Sequence, residues 1–510
     1  MCADQPSNKQ NIFKGKHFFD SGEQEQRKGN HLRAISFFNQ AILENPTQCE
    51  YHRCLAISLR ALGKTTQAIT AFETAIRLQP NSALTYTCLG NALTGVGRFE
   101  EAKTAHQHAL QLQPDFAEAW SNLGLTYRTQ DKLAEAIDCF SRATQLKGNI
   151  PDLFHNLGSA FLLFGKLEQA KIHLGKTLEL DPRHVRALVD LSTVFKERGD
   201  LEQAVSLLQQ ALVLDPNSAD AHWNLGLMLL SQGKFEQGWA EYEWRRKIPD
   251  IKIRSFAKPF WDGKPLGDKT LLLHAEQGIG DSIQFIRYAK MIQKEAGRVV
   301  FDCPSKLVRL LGNSLGIDEI IAQGTSLPKF DCHAPLLSLP FLFGTKEGTI
   351  PSQIPYLEAE KSLVQKWSKK FADKTKLNIG IGWQGNPKYR ADNRRSMPLQ
   401  SFASLAHLNG VRLFCLQKGP GQEQVSALSN PFKIEDLSPF LDTGPDAFVD
   451  TAAAIQNLDL IICSDTALPH LAGALGAETW MLLCALPDWR WGTQSVDCPW
   501  YPTMKIFRQK

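Results

Sequence analysis

The sequence has 510 residues, and its 57 lysines and arginines nearly balance its 53 aspartates and glutamates, giving a formal net charge of +4. A chain of this length exceeds one hydrophobic core, so we expect two or three domains. The basic residues are scattered rather than clustered, which argues against a nucleic-acid-binding protein. Because polar and charged residues interrupt the longest apolar region, 458–486, we predict no transmembrane segment.

The cysteines and the amino-terminal residues bear on the compartment. There are 11 cysteines, an odd number, and no two of them form a C-x-x-C pair. That pattern indicates neither a disulfide framework nor a zinc ribbon, and it fits a reducing compartment. The first residues contain no apolar core preceded by basic side chains, so we expect no secretory signal and a cytoplasmic protein.

A period of 34 residues runs through 13–249 and marks about seven units. Each unit contains two amphipathic helical patterns around a turn, and small residues recur where paired helices must approach closely. Prolines, once replaced by glycine, end the units at Pro46, Pro80, Pro114, Gly148, Pro182 and Pro216. The unit near Ala117 reads WSNLGLTY and then AEAIDCF, which resembles the tetratricopeptide repeat. Repeats of this kind stack into an α-solenoid that binds peptides or other proteins.

One polar position also recurs at the repeat period, just before the Leu-Gly pair or its equivalent: Asn122, Asn156, Asp190 and Asn224. A side-chain amide can donate and accept at the same time, so Asn122, Asn156 and Asn224 are candidate peptide-binding residues. This arrangement resembles the asparagine ladder of the eukaryotic O-linked N-acetylglucosamine transferases. The alternative is that these side chains form hydrogen bonds between neighbouring repeats.

The pattern changes after the last unit. Residues 250–268 form a linker rich in proline and glycine, without a helical pattern. Apolar strand-like runs then alternate with helical runs in two series, 269–360 and 376–510. Such alternation predicts α/β domains with parallel sheets. Two doubly wound units that face each other predict a ligand cleft between the carboxyl ends of their strands.

The second half resembles the heptosyltransferase-like glycosyltransferases of family 9, which have the GT-B fold of two Rossmann-like domains. The matching stretches include LLLHAEQGIGDSIQFIRYA, IGIGWQGNPKYRADNRRSMPL and DTAAAIQNLDLIICSDTALPHLAGALG, in the family's order. The resemblance implies that 269–360 binds the acceptor and that 376–510 binds a nucleotide sugar. It also implies sugar transfer with inversion at the anomeric carbon, without a metal or another cofactor.

Asp281 stands in the loop GIGD after the first strand-like run. By the resemblance, it corresponds to the carboxylate that heptosyltransferases use as a general base, and the glycines Gly278 and Gly280 allow close approach. The alternative is structural, because aspartate is also a preferred cap at the start of a helix and stabilises it by about 1 kcal/mol.

The segment CSDTALPH joins a strand-like run to a helical one. A helix start offers unpaired N–H groups and a partial positive charge, which suit a donor diphosphate. The resemblance makes Asp465, Thr466 and His470 donor-binding residues. Ala467 stands where the family usually has glycine, which leaves the identity of the donor open.

Two further stretches follow strand-like runs. The loop GNPKYRADNRRS carries four cations, of which we choose Lys388 and Arg395 as donor-binding residues: Lys388, Arg390, Arg394 and Arg395. Guanidinium groups match phosphate oxygens, although most charged loops are simply solvated. Gln417 and Lys418 are also candidate donor contacts, with an ordinary strand-to-helix turn as the alternative. Trp489 and Trp491 could line a pocket, but aromatic residues near strand ends more often belong to the core.

These observations predict a metal-independent, inverting glycosyltransferase whose repeats recruit a protein or glycan acceptor, or a partner protein. The alternative is a non-catalytic repeat scaffold with a degenerate transferase-like domain that binds a nucleotide. The sequence contains no P-loop, H-E-x-x-H or G-x-S-x-G motif, so other enzyme classes have little support.

Overall fold

The computed structural model describes residues 6–249, 251, 253–312, 314, 316–373, 375–389, 391–427, 433–493 and 495–509. The chain divides into two compact units, Met1–Asp215 and Pro216–Lys510.

The described part of the first unit consists of paired helices. Their bounds are α1 (Pro6–Arg27), α2 (His31–Glu44), α3 (Cys49–Ala61), α4 (Thr65–Leu78), α5 (Ala83–Gly95), α6 (Phe99–Leu112), α7 (Ala117–Thr129), α8 (Leu133–Leu146), α9 (Pro151–Leu163), α10 (Leu167–Leu180), α11 (Val185–Glu197) and α12 (Leu201–Leu214). The prediction of two helices in each 34-residue repeat is therefore confirmed.

The turn inside each helix pair explains one of the sequence positions that recur every 34 residues. Glycines with a φ angle between 73° and 83° occupy it at Gly29, Gly63, Gly97, Gly165 and Gly199, and Asp131 takes the same place with a φ of 60°. Glycine enters this left-handed conformation without the steric cost of a Cβ. The small residues that recur inside the helices are required by helix packing. A Cβ on Gly124, for example, would lie 2.7 Å from the ring of Phe140. Turn geometry and helix packing thus both repeat every 34 residues.

The second unit begins with two more helices, α13 (Ala219–Ser231) and α14 (Phe235–Tyr242), and a 3₁₀ turn, Glu243–Lys247. The first strand-and-helix series follows: β1 (Gly267–His274), α15 (Ile279–Phe285), α16 (Ala289–Ile292), β2 (Ala296–Cys303), α17 (Val308–Leu311), β3 (Glu319–Ala322), β4 (Cys332–Pro335), α18 (Leu339–Leu342) and α19 (Lys361–Ser368). The second series comprises β5 (Leu377–Gly382), α20 (Asp392–Arg395), α21 (Ala403–Ala406), β6 (Val411–Cys415), α22 (Glu423–Ser426), β7 (Ile434–Asp436), α23 (Val449–Ile455), β8 (Leu460–Ser464), α24 (Ala467–Ala474), β9 (Thr479–Leu483) and β10 (Met504–Arg508).

These strands form two sheets, ordered β3-β2-β1-β4 and β10-β9-β8-β5-β6-β7, in which every neighbouring pair is parallel. The predicted parallel sheets are therefore confirmed. β8 is buried along its whole length, as expected of a strand that is covered on both faces. β1 and β8 are interior strands, so the loops that leave their carboxyl ends lie where α/β proteins bind ligands.

The packing boundary differs from the predicted domain boundary at residue 249. The indole N–H of Trp239 in α14 donates to the backbone oxygen of Thr345 at 3.1 Å, and Trp239 shares a core with Leu271 of β1. The predicted linker also packs on the sheet, because Trp261 is buried and its backbone N–H donates to the His333 oxygen at 2.9 Å. Sequence periodicity detects helices but does not reveal what their apolar faces contact.

A buried arginine ties the 3₁₀ turn after α14 to the first sheet. Arg245 is fully buried, and its guanidinium donates to Glu276 at 2.6 and 3.2 Å, to Glu243 at 2.5 Å and to Ser338 at 2.9 Å. Glu276 lies two residues after the end of β1, in the loop that leads to α15. Because Arg245 binds Glu243, Glu276 and Ser338 at once, it fixes the loop that leads to α15.

We expect Arg245→Met to destabilise the second unit by about 3–5 kcal/mol, because it leaves buried carboxylates without a cation. The matched control is Arg298→Met, which breaks the exposed pair between Arg298 and Glu319 and should cost less than about 1 kcal/mol. Urea unfolding followed by tryptophan fluorescence reports on this unit, since every tryptophan except Trp120 lies after residue 215. Equal losses in the two variants would contradict the role given to Arg245.

Candidate functional site

The first turns of α15 and α24 lie against each other, although the two helices follow strands of different sheets. A Cβ on Gly280 would lie 3.0 Å from Cδ2 of the His470 ring and 3.5 Å from the Cα of Ala467. Glycine at this position therefore permits the close approach of the two helices. The contact brings the predicted residues Asp281 and His470 to neighbouring positions at the carboxyl ends of β1 and β8.

Asp281 has two partners. Its Oδ2 accepts a hydrogen bond from the backbone N–H of Gly278 at 2.7 Å, and its Oδ1 accepts one from the guanidinium of Arg490. The helix cap is Gly278, and Asp281 lies three residues later. The structural alternative is corrected accordingly: Asp281 braces the helix start from inside the first turn and is not itself the cap. Burial raises the pKa of Asp281, and the Arg490 charge opposes that shift.

Arg490 is the residue that the sequence analysis missed. Its side chain is 8% exposed, and it donates from Nε to Gln284 Oε1 at 2.7 Å and from Nη1 to Asp488 Oδ1 at 2.8 Å, in addition to Asp281. The charges of Asp488 and Asp281 raise its pKa despite its burial. The signal in the sequence was an arginine between two tryptophans, in DWRWG.

Both of those tryptophans are buried, which favours the core interpretation. The Trp489 ring packs edge-on against Trp239, with 5.2 Å between centroids, and the Arg490 guanidinium lies 4.4 Å from the Trp489 ring centroid. Trp491 stacks on His470 at 5.1 Å. The aromatic rings thus form the walls that hold Arg490 and His470.

Asp465 and Thr466 leave the carboxyl end of β8. Burial raises the pKa of Asp465 to about 7, and the Asp488 carboxylate adds to this shift, whereas the charges of Arg395 and Arg490 oppose it. Thr466 caps α24, because its hydroxyl accepts a hydrogen bond from the backbone N–H of Leu468 at 3.3 Å. A protonated Asp465 can donate a hydrogen bond to an anion, and its carboxylate cannot.

His470 lies inside α24 and is buried. Its Nδ1 is 3.0 Å from the hydroxyl of Tyr501, and burial holds its pKa well below the ordinary value. The imidazole is therefore neutral at physiological pH. In that state it can position or hydrogen-bond a ligand, but it does not supply a positive charge.

The loop after β5 contributes Arg395. Its Nε donates to Asp392 at 3.0 Å, and its guanidinium lies 4.7 Å from the ring centroid of Tyr389. Lys388 is exposed, and Arg390 lies outside the described residues. Beside this loop is an open cavity of about 530 Å³, lined by Gln384, Pro387, Tyr389, Asp392, Asn393, Ser396, Met397, Pro398 and Gln424. Its volume is in the range of small-molecule sites.

Gln417 and Lys418 have structural roles. The Gln417 amide accepts from the backbone N–H groups of Trp383 and Gln384, both at 3.0 Å, and donates to the oxygens of Gln384 at 2.8 Å and Pro420 at 2.7 Å. These four hydrogen bonds use both acceptor sites and both donor hydrogens of the side-chain amide. The Lys418 ammonium donates to the backbone oxygens of Ser438 and Leu441. The geometry therefore favours the strand-to-helix turn, the alternative for both residues.

The recurring polar residues of the repeats also have neighbours. Asn156 donates to the hydroxyl of Ser121 in the preceding repeat at 3.2 Å, and Asp190 lies 3.1 Å from Nε2 of His155. Both contacts match the alternative of bonds between repeats. Asn122 and Asn224 are partly buried, and neither side chain forms a hydrogen bond within the described part of the chain. A peptide-binding role for these asparagines stays a prediction.

The described residues offer neither a metal site nor a membrane-spanning helix. Within them, no group of three or more histidine, cysteine, aspartate or glutamate side chains is arranged to hold a metal ion. None of the helices in the same ranges combines the length and the apolar character needed to span a bilayer.

Residues 48–247 match the sequence family described as the cilia and flagella-associated protein 70 C-terminal domain. The chain is also 27% identical, over 297 residues, to Protein FlbA of Caulobacter vibrioides, an alignment that covers 53% of this chain and 49% of that protein. The chain thus spans about half the length of this curated relative.

Solved structures give weaker likenesses. Pseudomonas aeruginosa pilF is 21% identical, covering 41% of this chain and 96% of that one, with a TM-score of 0.37. A tetratricopeptide repeat protein from Parabacteroides merdae is 15% identical, covering 46% and 93%, with a TM-score of 0.40. The family match falls on the helical repeats, and the first half is a tetratricopeptide-like scaffold of the kind that mediates protein interaction.

The raised pKa of Asp465 leads to a pH-dependent stability prediction. Well below pH 3.8 the carboxyl is protonated in both the folded and the unfolded chain, so its burial does not lower the free energy of unfolding. Between the ordinary pKa of 3.8 and about 7, the unfolded chain ionises first and the folded state loses stability. We therefore expect Asp465→Asn to be more stable than the wild type at pH 8, by roughly 1–3 kcal/mol, and almost equally stable near pH 4.

Chemical unfolding between pH 4 and 8, followed by tryptophan fluorescence, measures this difference. The control is Asp262→Asn, because the pKa of the exposed Asp262 is lowered by its hydrogen bond to Lys264. That variant should show no gain at pH 8. A gain for Asp465→Asn that did not change with pH would contradict the prediction.

Proposed function

We propose that the second unit is a metal-independent, inverting glycosyltransferase with the GT-B arrangement, and that the repeats recruit its acceptor or a partner protein. The observation that carries the proposal is the contact between Gly280 and His470. It joins the loop with the proposed base to the loop that the resemblance assigns to the donor. The acceptor would approach the side of β1, and the nucleotide sugar would bind on the side of β8.

Each group then has a chemical task. The Asp281 carboxylate takes the proton of the acceptor hydroxyl as that oxygen forms a bond to the anomeric carbon. The bond from this carbon to the diphosphate oxygen breaks on the opposite side, which inverts the centre. The start of α24 and the guanidiniums of Arg490 and Arg395 stabilise the departing diphosphate. A raised pKa makes Asp281 a stronger base than an exposed aspartate.

The ion pair between Asp281 and Arg490 favours a second candidate, a scaffold that binds a nucleotide without turnover. A carboxylate held by a guanidinium is a weaker base, because protonation must break the pair. In the catalytic scheme, phosphate oxygens of the donor compete for Arg490 and release Asp281. In the second candidate, Arg490 stays on Asp281 and no proton is accepted. The two therefore differ in turnover rather than in nucleotide binding.

The first test is binding. We expect one of a panel of nucleoside diphosphates and nucleotide sugars, in the presence of a chelator, to stabilise the full chain by about 2.7 kcal/mol at a hundredfold excess over its Kd. The double variant Lys388→Gln/Arg395→Gln should weaken binding of that ligand at least about tenfold, because both positive charges belong to the loop after β5 that we predict to contact the donor phosphates. Thermal unfolding with each ligand measures the effect.

The matched control is Lys264→Gln/Lys505→Gln, which removes two exposed lysines that pair with nearby aspartates. It should bind as the wild type does. If none of the nucleotides stabilises the wild-type chain, the proposal of a donor site fails for both candidates.

The second test separates the two candidates. With the donor identified, we expect the wild type to release nucleoside diphosphate and Asp281→Asn to do so about 10²–10⁴ times more slowly. Donor binding should not weaken, because Asp281 does not contact the diphosphate in this scheme and its loss frees Arg490 for the phosphate oxygens. Asp262→Asn, outside the cleft, is the control. A wild type that binds the donor but releases no product would support the non-catalytic scaffold.

A further inference from the structure

A groove of about 630 Å³ crosses three consecutive helices of the first unit, α6, α7 and α8. Its lining residues are Gln107, Leu110, Gln111, Trp120, Leu123, Tyr127, Glu135, Asp138 and Cys139. Leu110, Leu123 and Cys139 are buried and form an apolar floor, and the rings of Trp120 and Tyr127 are partly buried beside it. Asn122, the polar residue of the same repeat, does not line the groove.

The aromatic wall is held in place from within the repeat. The Trp120 indole N–H donates to the backbone oxygen of Pro114 at 3.0 Å, so its only polar atom is already satisfied. Tyr127 lies under a cation, since the ammonium of Lys103 is 5.9 Å from its ring centroid. Rings fixed in this way offer a preformed surface for the stem of a long side chain.

The rim of the groove carries two exposed carboxylates that form no ion pair with the described residues. Glu135 and Asp138 are exposed and three residues apart on α8, which puts them on one face of the helix. Other carboxylates nearby are paired: Glu118 contacts Lys147 at 2.6 Å, and Glu100 contacts Lys103 at 2.5 Å. Among the residues that the structure describes, no cation lies within ion-pair distance of Glu135 or Asp138.

We infer that this groove binds a segment of a partner protein in which an arginine or lysine stands beside a bulky apolar residue. The apolar side chain packs on Leu110, Leu123 and Cys139, and the stem of the basic residue lies along the aromatic wall. Its cationic head then meets Glu135 and Asp138. This inference is independent of the proposed transferase activity, because every residue in it belongs to the repeats.

The experiment selects peptides from a random library displayed on phage, using the full chain as bait. We expect enriched sequences to contain an arginine or lysine next to a large apolar residue. A synthetic peptide of the enriched sequence, measured by fluorescence anisotropy, should bind Glu135→Gln/Asp138→Asn at least tenfold more weakly. Binding to the wild type should also weaken several-fold between 50 and 500 mM salt.

The control is Glu73→Gln/Glu202→Gln, which removes two exposed carboxylates from α4 and α12 and leaves the same net charge. It should bind the peptide as the wild type does. Because all four positions are exposed, circular dichroism should report the same helical content for both double variants. The inference is overturned if no sequence is enriched, if the enriched sequences lack the basic residue, or if the two double variants bind equally.

Discussion

The candidate site depends on one buried guanidinium. Arg490 holds Asp281 and Gln284 of the first strand-and-helix series and Asp488 of the second. A charge this deeply buried persists only when every donor finds an acceptor. The start of α15 and the segment after β9 are consequently fixed relative to each other. The close approach of Gly280 to His470 adds a steric constraint in the same place.

The helices that end the repeats belong to this support. Gln277 donates to the hydroxyl of Tyr242 at 3.0 Å, and Arg245 lies 4.7 Å from the Tyr242 ring centroid. Burial raises the pKa of Tyr242 to about 12, and the opposing charges of Arg245 and Arg490 both act on it. The charges of two buried arginines thus act on one tyrosine. The segment from α13 to β1 supports the site directly and is more than a spacer.

Features that depend on nearby residues could be predicted from the sequence. The period of 34 predicted the helices, since the left-handed turn at Gly97 and the small residue at Gly124 are requirements of one repeat. The alternation of strands and helices predicted parallel sheets in the same way. The packing of Trp239 on the first sheet could not be predicted, because the period reports helix geometry and is the same whichever surface the helix covers.

Long-range pairing explains why the site was only partly predicted. Asp281 and Arg490 are 209 positions apart, and no local pattern connects them. Gln417 illustrates the same limit: its place at a strand end left ligand contact and a structural turn both open, and its amide joins the backbone of Trp383 and Gln384. Position in a motif indicates where a residue lies, but the bonds of its side chain depend on the whole fold.

The charges of the site also restrict what it can bind under the proposed function. Asp281, Asp465 and Asp488 offer three carboxyl groups, against the two guanidiniums of Arg490 and Arg395. A diphosphate adds negative charge beside them and would raise the pKa of Asp465 further, since a like charge disfavours the ionised form. Binding an anion would therefore be coupled to proton uptake at Asp465. A neutral Asp465 then donates a hydrogen bond to the ligand. Because it no longer adds a negative charge to the site, no further cation is needed to bind the anion.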